Sequence, residues 1–124
     1  MDTSARPLSD DERALLQKLL ELRANGQDRL LAQSEIAIAR TLDDFGSFAI
    51  DVPGLTKQGD LVQRPYAEAQ TTDSDGVLVW ITLFTKNGIL DEVDIVRADG
   101  LPLMHALSLH ELDVFDPPKL KTSG

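Results

Sequence analysis

Apolar positions recur at helical spacing over the first part of the chain. At 100° per residue, Leu15, Leu16, Leu19, Leu20 and Leu22 fall within one arc of roughly 160°, with Gln17, Lys18 and Glu21 on the opposite side. Ser9-Asp10-Asp11-Glu12 precedes this stretch and has the form of a capping box. The Ser9 hydroxyl can accept from the Glu12 amide while the Glu12 carboxylate reaches back to the Ser9 amide. The acids of this turn also sit at the positive end of the helix dipole. Asn25-Gly26 supplies the left-handed residue at which such a helix ends. Leu30 and Leu31 then mark a short second helix or turn.

From Ser34 the period changes to two, the signature of strands. Ile36, Ile38 and Leu42, then Phe48, Ile50 and Val52, alternate around the turn Asp43-Asp44-Phe45-Gly46, which predicts a hairpin closed by Pro53-Gly54. Leu55 to Pro65 reads as a loop, Tyr66 to Thr71 as a third strand and Asp73 to Gly76 as a tight turn. The strongest pattern comes next, where Val77–Thr85 and Ile89–Arg97 flank Lys86-Asn87-Gly88. Asn and Gly both tolerate positive φ, so Asn87-Gly88 suits a type I′ turn. A two-residue loop there makes paired residue numbers sum to 175. Trp80 then faces Ile95, Thr82 faces Val93 and Phe84 faces Asp91. On the other face Val79 meets Val96, Ile81 meets Asp94 and Leu83 meets Glu92. A bulge would shift this register by one and change which acids share a face with the aliphatics. Asp99-Gly100 ends the hairpin, Leu103 to Leu112 reads as a last helix or an edge strand, and residues 117–124 read as a loose tail.

Consecutive strands with short connections pair antiparallel, and the leucine face of the first helix needs a sheet to cover it. The expected fold is α+β, with an N-terminal helix or helical pair packed on a four- to six-stranded antiparallel sheet. One domain spans 1–124, with an ordered core from about residue 8 to about residue 115.

Charge sharpens the picture. Twenty-one acids oppose twelve bases, a net of −9, which argues against nucleic acid as a partner. The excess is uneven: residues 34–124 carry fifteen acids and seven bases, a net of −8. In the expected register Glu92 and Asp94 share a face with Ile81 and Leu83, and Asp91 lies in the same hairpin. An ordinary solvated face is the simpler reading. The sharper one is an apolar patch ringed by carboxylates, made of Asp91, Glu92, Asp94, Ile81 and Leu83, that fits a basic protein partner.

Motifs for bond-making chemistry are missing. There is no cysteine, which removes disulfides, thiol catalysis and cysteine-ligated metals. Asp73-x-Asp75-Gly76 has the centre of a calcium loop, but Thr71 and Thr82 stand where that loop needs acids. His105 and His110 are five apart and share no helical face. No nucleophile elbow, phosphate loop or dinucleotide fingerprint is present. The fifteen sheet-half acids select no catalytic pair. Trp80, Phe84 and Tyr66 read as core; the alternative function is a small-ligand-binding protein or enzyme with a cleft between helix and sheet, using Tyr66, Trp80 or a histidine. No cofactor or metal is expected. The N-terminus has no basic segment followed by an apolar one and no apolar run reaches membrane length, so the expected location is the cytoplasm.

Asp73-Ser74-Asp75-Gly76-Val77-Leu78-Val79-Trp80-Ile81-Thr82-Leu83, with Gly88 to Ile95 after it, resembles a family of small bacterial domains of uncharacterised function. Leu8 to Leu16 and Gly46-Ser47 share in the resemblance, which covers roughly residues 8–103. Its motifs are a cap, a turn and a hairpin, and they imply a fold without a chemistry. In size, acidity and lack of catalytic motifs the chain is similar to immunity proteins of bacterial polymorphic toxin systems, which bind and block a cognate toxin. That resemblance implies a non-enzymatic protein-binding module whose partner is a basic toxin domain. A homodimer through the mixed face is a third reading, opposed by like charges.

Overall fold

Ser9 caps the first helix as its sequence predicts. The Glu12 amide donates to Ser9 Oγ (3.1 Å), and the Ser9 amide donates to Glu12 Oε1 (2.8 Å). The computed structural model describes residues 5–21, 27–43, 45–55, 63–103 and 112–115. Helix α1 spans Asp10–Glu21 and buries Leu15, Leu16, Leu19 and Leu20 of the predicted stripe, whose fifth member, Leu22, lies outside the described residues. The predicted stop at Asn25-Gly26 and the tail at 117–124 lie outside the described residues, as do His105 and His110. A full second helix, α2, covers Gln27–Ile36. Ile36 therefore ends a helix and is exposed instead of opening a strand. Arg13 Nη1 donates to the Ser34 carbonyl (2.8 Å) and ties the two helices together.

The strands are β1 (Arg6–Pro7), β2 (Ile38–Thr41), β3 (Phe48–Asp51), β4 (Arg64–Thr72), β5 (Leu78–Lys86), β6 (Ile89–Arg97) and β7 (Asp113–Phe115). They form one antiparallel sheet in the order β1-β2-β3-β6-β5-β4-β7. The α+β expectation holds, with a helical pair on the sheet. Seven strands replace the expected four to six because two short edge strands join. β1 has two residues and β7 three, too few for alternation to announce them. The prediction of a last helix or edge strand from Leu103 to Leu112 falls, for residues 104–111, outside the described residues; β7, which begins at Asp113, pairs with β4.

Phe48, Ile50, Val79, Ile81, Leu83, Leu90 and Val93 of the sheet meet Leu16, Leu19 and Leu20 in one fully buried cluster. Each such side chain contributes about 1.5–3 kcal/mol by leaving water. The sheet divides into two antiparallel runs, β1-β2-β3 and β6-β5-β4-β7, joined where β3 lies beside β6. That seam has two register pairs, Phe48 with Val93 and Ala49 with Glu92. Ser47 extends it by side chain: the Ile95 amide donates to Ser47 Oγ at 2.8 Å.

The β5–β6 register departs from the simple hairpin. Lys86 faces Ile89 and Thr85 faces Leu90, as the Asn87-Gly88 turn dictates, and Asn87 has φ of 51° and Gly88 of 76°. Beyond Asp91 the pairing slips by one: Phe84 faces Glu92, Leu83 faces Val93, Thr82 faces Asp94, Ile81 faces Ile95 and Trp80 faces Val96. Asp91 is the extra residue of a bulge. If the same sequence kept the turn's register with no bulge, Glu92 and Asp94 would sit opposite Leu83 and Ile81 in the core, at the cost of burying two carboxylates.

Candidate protein-binding face

The bulge decides the composition of the outer sheet face. Ile81 and Leu83 are both 0% exposed and lie under the helices, so they are not part of any surface shared with the acids. This corrects the expected patch. Glu92 and Asp94 remain on the outer face, where Phe84 and Thr82 are their neighbours. Trp80, expected in the core, is 44% exposed beside Val96 at 45%. Both face away from the helices because β5 alternates strictly and its odd positions fill the core.

Three strands lay this face out in rows. Gln70, Trp80 and Val96 form one row, and Glu68, Thr82 and Asp94 the next. Pro65, Phe84 and Glu92 form a third, and Ala49 continues it onto β3. An aromatic and aliphatic strip thus runs beside three carboxylates. Gln63 Nε2 donates to Asp91 Oδ2 (2.7 Å) and Glu92 Oε1 (3.1 Å), which fixes both. Ser47 Oγ lies 3.2 Å from Asp94 Oδ1. Among the described residues no cation pairs with Glu68, Glu92 or Asp94. Their charge is therefore available to an incoming group. On β2 and β3, Arg40 and Asp51 neutralise each other at 3.0 Å.

A different cluster closes the far end of the sheet. Arg97 is almost wholly buried and binds three aspartates: Asp73 at 2.8 Å, Asp75 at 3.0 Å and Asp99 at 2.5 Å. Asp99 hydrogen-bonds Arg97 and also accepts from the Leu101 amide, which brings its pKa down to about 2. Together these contacts pin the Asp73–Gly76 turn to the Asp99-Gly100 turn. The Asp73 and Asp75 of the would-be calcium loop thus serve a guanidinium. No group of three or more metal-binding side chains is placed to hold an ion among the described residues.

The helix–sheet interface is packed, and Trp80 lies on the face opposite the helices, so it cannot line a cleft there. Tyr66 does line a notch of about 100 Å³, with Arg29, Leu30, Thr85 and Gly88. Of the residues named as a site from sequence, Asp91, Glu92 and Asp94 lie together at this hairpin. Trp80, Val96 and Phe84 were missed as their apolar companions. Parity could have found them. Core positions on β5, and on β6 from Val93 onward, are odd-numbered, and odd faces odd only if pairs sum to an even number, which 175 is not.

The fold and site define a two-layer α+β domain with helices on one sheet face and an acidic, tryptophan-bearing surface on the other. The chain belongs to the family described as a domain of unknown function (DUF6984), which matches residues 5–107. No curated protein and no solved structure matches it. Among the described residues no helix is long and apolar enough to cross a membrane.

Proposed function

We propose that this chain is a non-enzymatic, cytoplasmic binding module whose outer sheet face takes a basic protein partner and blocks it by occlusion, as an immunity protein does. The carrying observation is the exposed Trp80–Val96 pair beside Glu68, Glu92 and Asp94. Exposed tryptophan supplies contact area at low entropic cost, and interface hot spots are enriched in it. Unpaired carboxylates at the margin steer a cationic partner and select against acidic ones. A second copy of the chain is a poor occupant, because it would bring like charges together.

Trp80 is the only tryptophan in the chain, so its emission reports on this face. The test begins with affinity capture from the native cell using wild-type chain and W80A. The captured protein is then titrated while Trp80 fluorescence is followed. A basic partner should shift the emission. W80A should weaken binding by about 2 kcal/mol. The double reversal E92K/D94K should slow association roughly tenfold and flatten its salt dependence. If the partner is a toxin, co-expression of wild-type chain should relieve its toxicity and E92K/D94K should relieve it less. Unchanged binding by both variants, with silent Trp80 emission, would show that the partner docks elsewhere.

A further inference from the structure

The described cations are mostly engaged. Arg6 pairs with Glu12, Lys18 with Glu21, Arg40 with Asp51 and Arg97 with its aspartates, while Arg13 binds a carbonyl. Arg29, Arg64 and Lys86 form no ion pair among the described residues. All three gather at the tip of the β5–β6 hairpin. Arg29 and Thr85 line the same 100 Å³ notch and Arg64 faces Thr85 across the β4–β5 ladder, whereas Lys86, next on β5, belongs to the opposite face of the sheet. In a chain of net charge −9 such a concentration of unmatched positive charge runs against the general field.

Arg29 also lies close against the turn. Its guanidinium lies over Gly88: a methyl group built there would fall 2.5 Å from Arg29 Nη2 and 3.2 Å from Cζ. Gly88 therefore serves twice, by adopting a φ of +76° and by leaving room for the guanidinium. The turn that carries Gly88 is fixed in turn by Gln33, whose Nε2 donates to the Gly88 carbonyl (3.0 Å) and whose Oε1 accepts from the Leu90 amide (2.9 Å). The notch thus presents a guanidinium, set over a fixed turn, beside Thr85 and Tyr66 and next to Leu30. Its volume equals that of about three liquid waters, enough for one phosphate or carboxylate group.

We infer that this notch is an oxyanion-binding site, in which Arg29 makes the directional contact and Arg64 adds to the potential. The ligand class is a small molecule bearing a phosphate or carboxylate. The site is separate from the outer face and stands or falls without it.

The test is an NMR titration of the full chain at low ionic strength with inorganic phosphate, with acetate, and with sodium chloride as the ionic-strength control. The amides of Thr85 and Gly88 should shift and saturate with phosphate or acetate, and chloride should not reproduce the change. Saturation by phosphate alone assigns a phosphate ligand; saturation by acetate alone assigns a carboxylate. R29Q should weaken binding tenfold or more, roughly the worth of one charge-assisted hydrogen bond, and R64Q, which removes only potential, about threefold. Both side chains are exposed, so thermal melts should show both variants folded. Trp80 emission should stay constant throughout, which keeps the result independent of the docking face. Linear, non-saturating shifts with both anions would overturn the inference, as would R29Q and R64Q titrating like wild type.

Discussion

Asp99 shows how one residue couples the fold to pH. Its hydrogen bond to Arg97 holds its pKa at about 2, below the usual carboxylate range near 3.9. A depressed folded-state pKa contributes stability above the unfolded-state value, and that contribution disappears as pH falls through the folded value. Wild type should therefore melt above D99N by a constant margin at pH 5 and higher. The margin should shrink between pH 4 and pH 2, as read by thermal melts of both proteins. Glu12 acts in the same direction. Burial works to raise its pKa, but the Arg6 side chain and the Ser9 amide outweigh burial and bring it down. A margin that widened on acidification would contradict the assignment of Asp99 as an ionised partner of Arg97.

At the scale of the element, the β5–β6 hairpin holds two instructions that disagree. The turn at Asn87-Gly88 demands one register, and the apolar pattern of Val93 and Ile95 against Leu83 and Ile81 demands the next. Asp91 resolves the conflict by adding a residue on one strand. Deleting Asp91 should leave a regular hairpin with the same core pairs and a melting temperature within about 10 °C of wild type. Deleting Asp94 should put Glu92 opposite Leu83 in the core or Ile95 out of it, and the protein should lose cooperative melting. Circular dichroism melts of the two deletions check this, and equal effects would refute it. The same conflict explains what could be read in advance. Helix α1, its cap, the β2–β3 hairpin and β5 are legible because their periods are unbroken, and β4 and β6 because theirs break only near one end. The acids Asp91, Glu92 and Asp94 were visible as charge, whereas their neighbours depended on a one-residue slip that turn chemistry conceals. Arg29 over Gly88 could not be foreseen, since it depends on how a helix docks on a distant hairpin.

Over the whole molecule, the edges of the sheet are kept short. β1 has two residues, one of them Pro7, and β7 has three, so neither offers a long template for another chain. The narrow junction between β3 and β6 is the other global feature. Ser47 fastens it by accepting from the Ile95 amide, so S47A should cost about 1–3 kcal/mol by leaving that buried group unpaired. Hydrogen exchange should quicken at Ile95 and along β2 and β3 while β4 and β5 keep their protection; a uniform loss would mean the sheet opens as one unit. The order of the strands also bears on how the protein is made. A ribosome delivers β1, β2 and β3 long before β6 exists. Until Val93 has left the exit tunnel, Phe48 is paired only on its β2 side, with Thr41, and the nascent chain carries an unclosed flank that a chaperone or a neighbouring polypeptide can reach.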